Sequence, residues 1–504
     1  MLPGTNTLTD LITNAEPSRQ CIIGVQPEVV ISYGKLAEQV ERLSEQLVNS
    51  GLKSGDRVGI VLPNGPEFMI AFLAVTQARL TAAPYNEVHK AGEFTSLFED
   101  GEIRALISRG ANAGLKEAAE KLSLPVWPLS TDSSGSVQIS IPQQTRSSTE
   151  APHPDDIALF LHTSGTTSKP KGVPLTHSNI MHSLRNIAEC YKLTPDDRTL
   201  LVMPLFHVHG LIGATLSTIY SGGTVIAPER FSASGFWPLA MTHRATWYSA
   251  VPTIHRTLLL RADTDAPPRS GFRFIRSCSS ALAPAILNEL EDRFHADVLE
   301  AYGMTEACHQ IASNPLPPLE HKPASVGKGG RVEIAVIDEQ RNMVAAGASG
   351  EVVIKGPNVM GGYYKNPEAN AAAFVNGYLR TGDRGTIDKD GYVFLLGRIK
   401  ELINRGGEKI SPVEVDAALL SHPAVAEAAS FGAPDQKYGE EVCAAVILKA
   451  ETTAAELQAH CKDQLADFKV PKTIHIVTQL PKTATGKIQR NSLAEFFGNS
   501  KKPS

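Results

Sequence analysis

The chain has 504 residues, 42% of them hydrophobic and 20% charged, with a formal net charge of −5. That length calls for at least two domains, and the composition is that of a folded globular protein. A mildly acidic chain without a basic block is not built to follow a nucleic-acid backbone. Six scattered cysteines, Cys21, Cys190, Cys278, Cys308, Cys443 and Cys461, include no Cys-x-x-Cys pair. They point to reduced thiols in a cytoplasmic compartment rather than to disulfides or zinc. The opening MLPGTNTLTD lacks the basic start and apolar stretch of a secretory signal. No apolar run is long enough to span a bilayer, and the closing Lys-Lys-Pro-Ser is not a peroxisomal address.

Strand-like and helix-like segments alternate over the first ~400 residues, which predicts an α/β fold. Leu36, Val40, Leu43 and Leu47 form one apolar stripe of a helix, with Gly51 as its expected C-terminal cap. A strand follows at 57–62. Further strands are expected at 245–251, 273–278, 297–302, 331–337, 351–354 and 392–396, all rich in β-branched and aromatic residues. Two polar stretches, 130–154 and the proline-rich 314–324, read as surface connections. A sharper boundary lies near Gly397-Arg398-Ile399-Lys400. It divides the chain into 1–397 and 398–504, the second part being long enough for a small α+β domain.

Four segments carry chemistry. Thr163-Ser164-Gly165-Thr166-Thr167-Ser168-Lys169-Pro170-Lys171-Gly172 is dense in hydroxyls, glycine and lysine and follows an apolar run. Phosphates need short donors, close backbone approach and positive charge. The spacing is not that of a G-x-x-x-x-G-K-[ST] loop, and the plain alternative is a solvated turn. Tyr302-Gly303-Met304-Thr305-Glu306 closes a strand, the place where open α/β sheets bind ligands. There an aromatic can stack on a base, a threonine can bond phosphate, and a glutamate can hold Mg²⁺ together with substrate phosphates. Thr381-Gly382-Asp383, with Arg398 fifteen residues on, places a carboxylate after a tight turn. It suits paired ribose hydroxyls, or merely caps the turn. Pro481-Lys482-Thr483-Ala484-Thr485-Gly486-Lys487 offers either a solvated lysine or a mobile cation for a reacting carboxylate.

In this order, together with PLFH at 204–207, YLRTGD at 378–383 and GRIKELINRGGEKISP at 397–412, these segments resemble the acyl-adenylate-forming (AMP-binding) superfamily. The resemblance spans essentially the whole chain. It implies a large N-terminal domain that holds ATP and a carboxylic acid, a small mobile C-terminal domain, and acyl transfer to coenzyme A. By matching position, Thr163, Ser164, Gly165, Thr166, Thr167 and Lys171 belong to the phosphate loop. Tyr302 lies beside adenine, Asp383 and Arg398 hold the ribose, and Glu306 takes Mg²⁺. Thr305, His207 and Lys487 are the catalytic candidates, with Thr305 near the α-phosphate and Lys487 acting in the first half-reaction. Lys400 sits at the hinge, and Gly406 and Gly407 line the pantetheine tunnel after rotation.

Within the superfamily the chain is similar to oxalate–CoA ligases, through LFHVHGL (205–211), ATWYSAVPTIH (245–255), RFIRSCSSALAP (273–284) and EAYGMTEACHQIASNPLP (300–317). A small dianionic acid needs donors or positive charge rather than an apolar wall. His207, Ser279 and His309 are therefore the acid-binding candidates, with His209 and Ser280 nearby. Single histidines are also common as structural residues, and relatives with other substrates carry histidine at the His207 position. Plant oxalate enzymes reverse the serine–alanine order after Ser279, so the role of Ser280 stays open. The alternatives are a 4-coumarate-like or a short- or medium-chain acyl-CoA synthetase, or delivery of the acyl group to a carrier protein.

Overall fold

The computed structural model describes residues 6–13, 15–110, 112–132, 134–143, 150–163, 170–267 and 269–498. Two large sheets dominate the N-terminal part. The first has eight strands in the order His309–Ser313, Val298–Met304, Phe274–Cys278, Trp247–Ala250, Arg198–Leu200, Thr224–Ala227, Gln20–Val25 and Glu28–Ser32. Its six central strands run parallel, and an antiparallel strand closes each edge. The second sheet has seven strands, in the order Val137–Ile139, Val126–Thr131, Ile103–Ser108, Arg57–Val61, Thr81–Pro84, Ile157–His162 and Gly172–Thr176. Between the sheets lies the helix Pro66–Gln77, which packs against strands of both. Its sequence PEFMIAFLAVTQ has no polar face, and nearly every residue is buried, as a helix wedged between two apolar surfaces requires.

The helix read from the Leu36 stripe spans Tyr33–Val48, capped at its start by the Ser32 side chain. Its end differs from expectation. Asn49 closes the last turn through its N–H, and Gly51 lies two residues further on at φ +88°. The left-handed residue is needed for the turn into the next strand, not for the cap. The expected connection 130–154 also contains structure: Val137–Ile139 pairs antiparallel with Val126–Thr131. The stretch 314–324 is tied down as well. Buried Asn314 donates to Ser325 O (2.7 Å) and accepts from the Lys322 N–H (3.0 Å).

A third sheet carries Gly350–Lys355, Tyr378–Ile387 and Val393–Arg398. After the short turn Ile399–Glu401, a fourth, five-stranded sheet forms the smaller C-terminal domain, with its own core of Ile403, Ile410, Val415, Leu419, Val442, Val446 and Leu457. Among the described residues no helix is long and apolar enough to cross a membrane.

Candidate active site

The parallel strands ending at Ala250, Cys278 and Met304 open toward one side of the first sheet, and the late segment carrying Lys487 lies across that opening. Thr253 Oγ1 donates to Gly486 O at 3.1 Å. Gly486 has φ +85°, and a Cβ there would stand 2.9 Å from Thr253 Oγ1 and 3.2 Å from Val251, so this close approach needs glycine. Nearby, Arg256 donates to Val425 O at 3.0 Å, a second tie between the two domains. The turn is pinned by its backbone: Lys487 N–H donates to Thr483 Oγ1 (3.1 Å) and Thr483 N–H to Lys487 O (2.7 Å). The side chain is left for the cleft. Burial, and then the positive charge of Arg398, hold the Lys487 ammonium below its ordinary pKa, while Asp383 and Glu306 pull it back up.

Asp383 and Arg398 are register partners on adjacent antiparallel strands, which explains why residues fifteen apart meet. Arg398 Nε sits 2.9 Å from Asp383 Oδ1, and the Tyr302 hydroxyl donates to Asp383 Oδ2. Tyr302 lies within the strand Val298–Met304, which runs two residues past its expected end; Thr305 then opens a short 3₁₀ turn, Thr305–Ala307. The Thr305 side chain has no hydrogen-bond partner among the described residues. Buried Glu306 accepts from the Tyr363 hydroxyl at 2.9 Å, and the Lys171 ammonium lies over the Tyr363 ring at 4.5 Å. Thr163 and Lys171 face each other across the mouth of a hairpin, Thr163 N–H to Lys171 O (2.9 Å) and Lys171 N–H to Thr163 Oγ1 (3.1 Å). Ser164, Gly165, Thr166 and Thr167 lie outside the described residues.

The acid-binding candidates fall into a connected polar cluster. The backbone N–H of His209 donates to His207 Nδ1 (3.2 Å), so neutral His207 carries its proton on Nε2. Burial, with Lys487 nearby, pushes the His207 pKa down to about 3. Ser279 Oγ lies 3.0 Å from His209 Nδ1, and the rings of His209 and His309 stack at 4.9 Å. Both Ser279 (φ +75°) and His309 (φ +84°) occupy the left-handed region, a strained conformation that the surrounding structure must hold. Ser280 is exposed and donates to Ser279 O, which turns it away from the cluster.

The structure thus gathers Lys487, Asp383, Arg398, Tyr302, Glu306, Lys171 and His207 around one cleft, with Ser279 and His309 beside them. It does not bring in Gly406 and Gly407, which form an exposed two-residue hairpin with φ +61° and +97°. Lys400 is exposed in the turn Ile399–Glu401. Sequence reading passed over Arg276, Ser249 and Gln310, all buried against the histidines. The signal was an arginine in the middle of a strand flanked by parallel neighbours on both sides, where every side chain is buried.

The chain matches known proteins along nearly its whole length. Residues 12–364 match the AMP-binding enzyme family and residues 414–487 the AMP-binding enzyme C-terminal domain. The chain is 49% identical to an oxalate–CoA ligase of Arabidopsis thaliana, over 98% of this chain and 99% of the relative. It is 42% identical to an oxalate–CoA ligase of Saccharomyces cerevisiae, over 95% of each. Among solved structures, MatB from Rhodopseudomonas palustris is 30% identical and superposes over 99% of this chain and 100% of its own. The TM-score is 0.89 for its ATP-bound form and 0.79 for its apo form. The chain belongs to the AMP-binding enzyme family.

Proposed function

We propose that the chain is an ATP-dependent acid–CoA ligase that converts oxalate, ATP and CoA to oxalyl-CoA, AMP and pyrophosphate through an acyl-adenylate. The observation that carries the reading is that Lys487, from the last domain, lies half-buried beside the Asp383–Arg398 pair and Glu306. A carboxylate is a poor acyl donor until its oxygen carries a better leaving group. Attack of that oxygen on the α-phosphorus of ATP breaks the bond to pyrophosphate and forms a mixed anhydride. Two anions must meet, so the site has to neutralise charge in advance. Lys487 faces the reacting carboxylate and the α-phosphate, with Thr305 beside it. Asp383 and Arg398 hold the ribose, Tyr302 packs beside adenine, and Lys171 and the loop beginning at Thr163 take the outer phosphates.

Glu306 fits a Mg²⁺ that is otherwise held by phosphates: it is buried, and among the described residues its carboxylate accepts only from Tyr363. Bound there, Mg²⁺ would shield the triphosphate charge. In the second half-reaction the CoA sulfur attacks the carbonyl carbon and AMP leaves. We assign this step to a second arrangement, in which the small domain (398–504) turns about Lys400 and carries Gly406 and Gly407 to the cleft. The higher TM-score against the ATP-bound form of MatB supports reading the present arrangement as the adenylating one. Oxalate is favoured by the curated relatives and by a pocket wall of histidine, serine and a buried arginine. Six scattered cysteines without a Cys-x-x-Cys pair support a reducing, cytoplasmic setting.

The test is pyrophosphate release, and thioester formation with CoA, across oxalate, malonate, acetate, octanoate and 4-coumarate. Oxalate should stand well above the rest, and oxalyl-CoA should appear. Turnover led by another acid would overturn the substrate. Pyrophosphate release without any thioester would point to a carrier protein as the acceptor.

A further inference from the structure

Arg276 sits in the middle of the strand Phe274–Cys278 and is 0% exposed. No carboxylate pairs with it among the described residues; the side chains it bonds, Tyr191, Ser249, His309 and Gln310, are all neutral. A buried cation without an anion is costly unless a ligand supplies one. Four of its five hydrogens have partners. Nε donates to Tyr191 OH (2.7 Å), Nη2 to Gln310 Oε1 (3.1 Å), and Nη1 to both Ser249 Oγ (3.1 Å) and His309 Nε2 (2.7 Å).

A guanidinium only donates, and this fixes the direction of every bond beyond it. His309 Nε2 must accept, so the ring proton of His309 is on Nδ1, a nitrogen with no hydrogen-bond partner among the described residues. Ser249 accepts from Arg276 and is 1% exposed. The remaining acceptor for its hydrogen is His209 Nε2 at 2.7 Å. His209 is then protonated on Nδ1 and donates to Ser279 Oγ, leaving the Ser279 hydroxyl hydrogen free. Two arms therefore leave Arg276, and each ends in an unused donor. Burial and the Arg276 charge hold both histidines neutral, as this arrangement requires. Glycine makes room for it: a Cβ on Gly213 would stand 2.4 Å from His309 Cδ2 and Nε2, and one on Gly303 would stand 1.9 Å from His309 O.

We propose that Arg276 is the positioning residue for acid specificity: it turns the Ser279 O–H and the His309 Nδ1–H outward as donors and supplies the uncompensated charge that a second carboxylate on the acid neutralises. The proposal rests on the ligase reading above and adds what selects a dianionic acid over a monoanionic one.

The test combines three variants with nitrogen-15 NMR of histidine-labelled enzyme. In the wild type, His209 and His309 should both appear as neutral Nδ1–H tautomers. Ser249→Ala cuts only the arm to Ser279 and should raise KM for oxalate by about 10-fold. Arg276→Lys keeps a charge but loses the fork, and should lower kcat/KM for oxalate by about 100-fold, mainly through KM. Arg276→Met should further reduce the preference for oxalate over glyoxylate. In all three, KM for ATP should stay within about 3-fold of wild type. Nε2–H tautomers in the wild type overturn the proposal. So does an oxalate KM unchanged in Arg276→Lys, or an equal loss for oxalate and ATP, which marks a merely structural residue. If the wild type instead prefers malonate and Arg276→Lys abolishes that preference, the oxalate reading fails while the role of Arg276 stands.

Discussion

Replacing Lys487 by alanine removes a cation from the cleft without touching what holds its turn. The turn is closed by backbone and Thr483 hydrogen bonds, and the Lys487 side chain makes no ion pair among the described residues. The fold should therefore survive, with a melting temperature near that of the wild type. The effect on adenylation is large. At an effective dielectric of about 20, unit charges about 4 Å apart interact by about 4 kcal/mol, or about 10³ in rate. Loss of one preorganised charge or donor typically costs about 10²–10³. Arg398 and Lys171 share the cleft and cover part of the loss, so the range rather than its upper end is expected. Single-turnover pyrophosphate release should fall by about 10²–10³ in Lys487→Ala. Thioester formation from a supplied acyl-adenylate should stay within about 3-fold of wild type, because that step is assigned to the other arrangement of the small domain. Equal losses in both half-reactions would refute the assignment of Lys487 to the first step.

Gly407→Leu should give the mirror image. No atom stands near a Cβ at that exposed turn, so the cost is backbone strain at φ +97°, about 1–3 kcal/mol. Thioester formation should slow by at least 10-fold while pyrophosphate release stays intact; a slowed first step instead would contradict the swivel. Stability should fall in mild acid. His177 and His255 are buried, and burial depresses their pKa values to about 4 and about 3. Below about pH 6.5 the unfolded chain takes up protons that the folded one refuses, so stability is full above that pH and drops as pH falls toward 4. Each histidine contributes up to about 1.4 kcal/mol per pH unit, together about 3. Urea denaturation at pH 7.5, 6.5 and 5.5 measures this; a flat profile would count against neutral buried histidines.

Much of the fold was legible because buried strands advertise themselves. The segments 57–62 and 273–278 needed only an apolar or β-branched run bounded by turn residues, and they are the strands Arg57–Val61 and Phe274–Cys278. The strand Val137–Ile139 was missed because three residues with one exposed glutamine carry too little periodicity. Gly51 was misplaced because a glycine after a helix marks either its cap or the next turn, and only the Asn49 hydrogen bonds decide. The segments of the site could be picked out by residue type, but their meeting could not. Asp383 finds Arg398 through sheet register, and Lys487 reaches the cleft through Thr253 and Gly486, contacts more than two hundred positions apart in sequence. Arg276 was passed over because an arginine in a strand reads as surface until its neighbours on both sides are known.

The central claim is that an oxygen of the acid attacks the α-phosphorus of ATP. Oxalate labelled with oxygen-18 tests it directly, by mass spectrometry of the AMP and pyrophosphate formed with CoA present. One labelled oxygen in AMP and none in pyrophosphate is the predicted outcome. Label in pyrophosphate, or unlabelled AMP alongside newly formed thioester, would contradict the account.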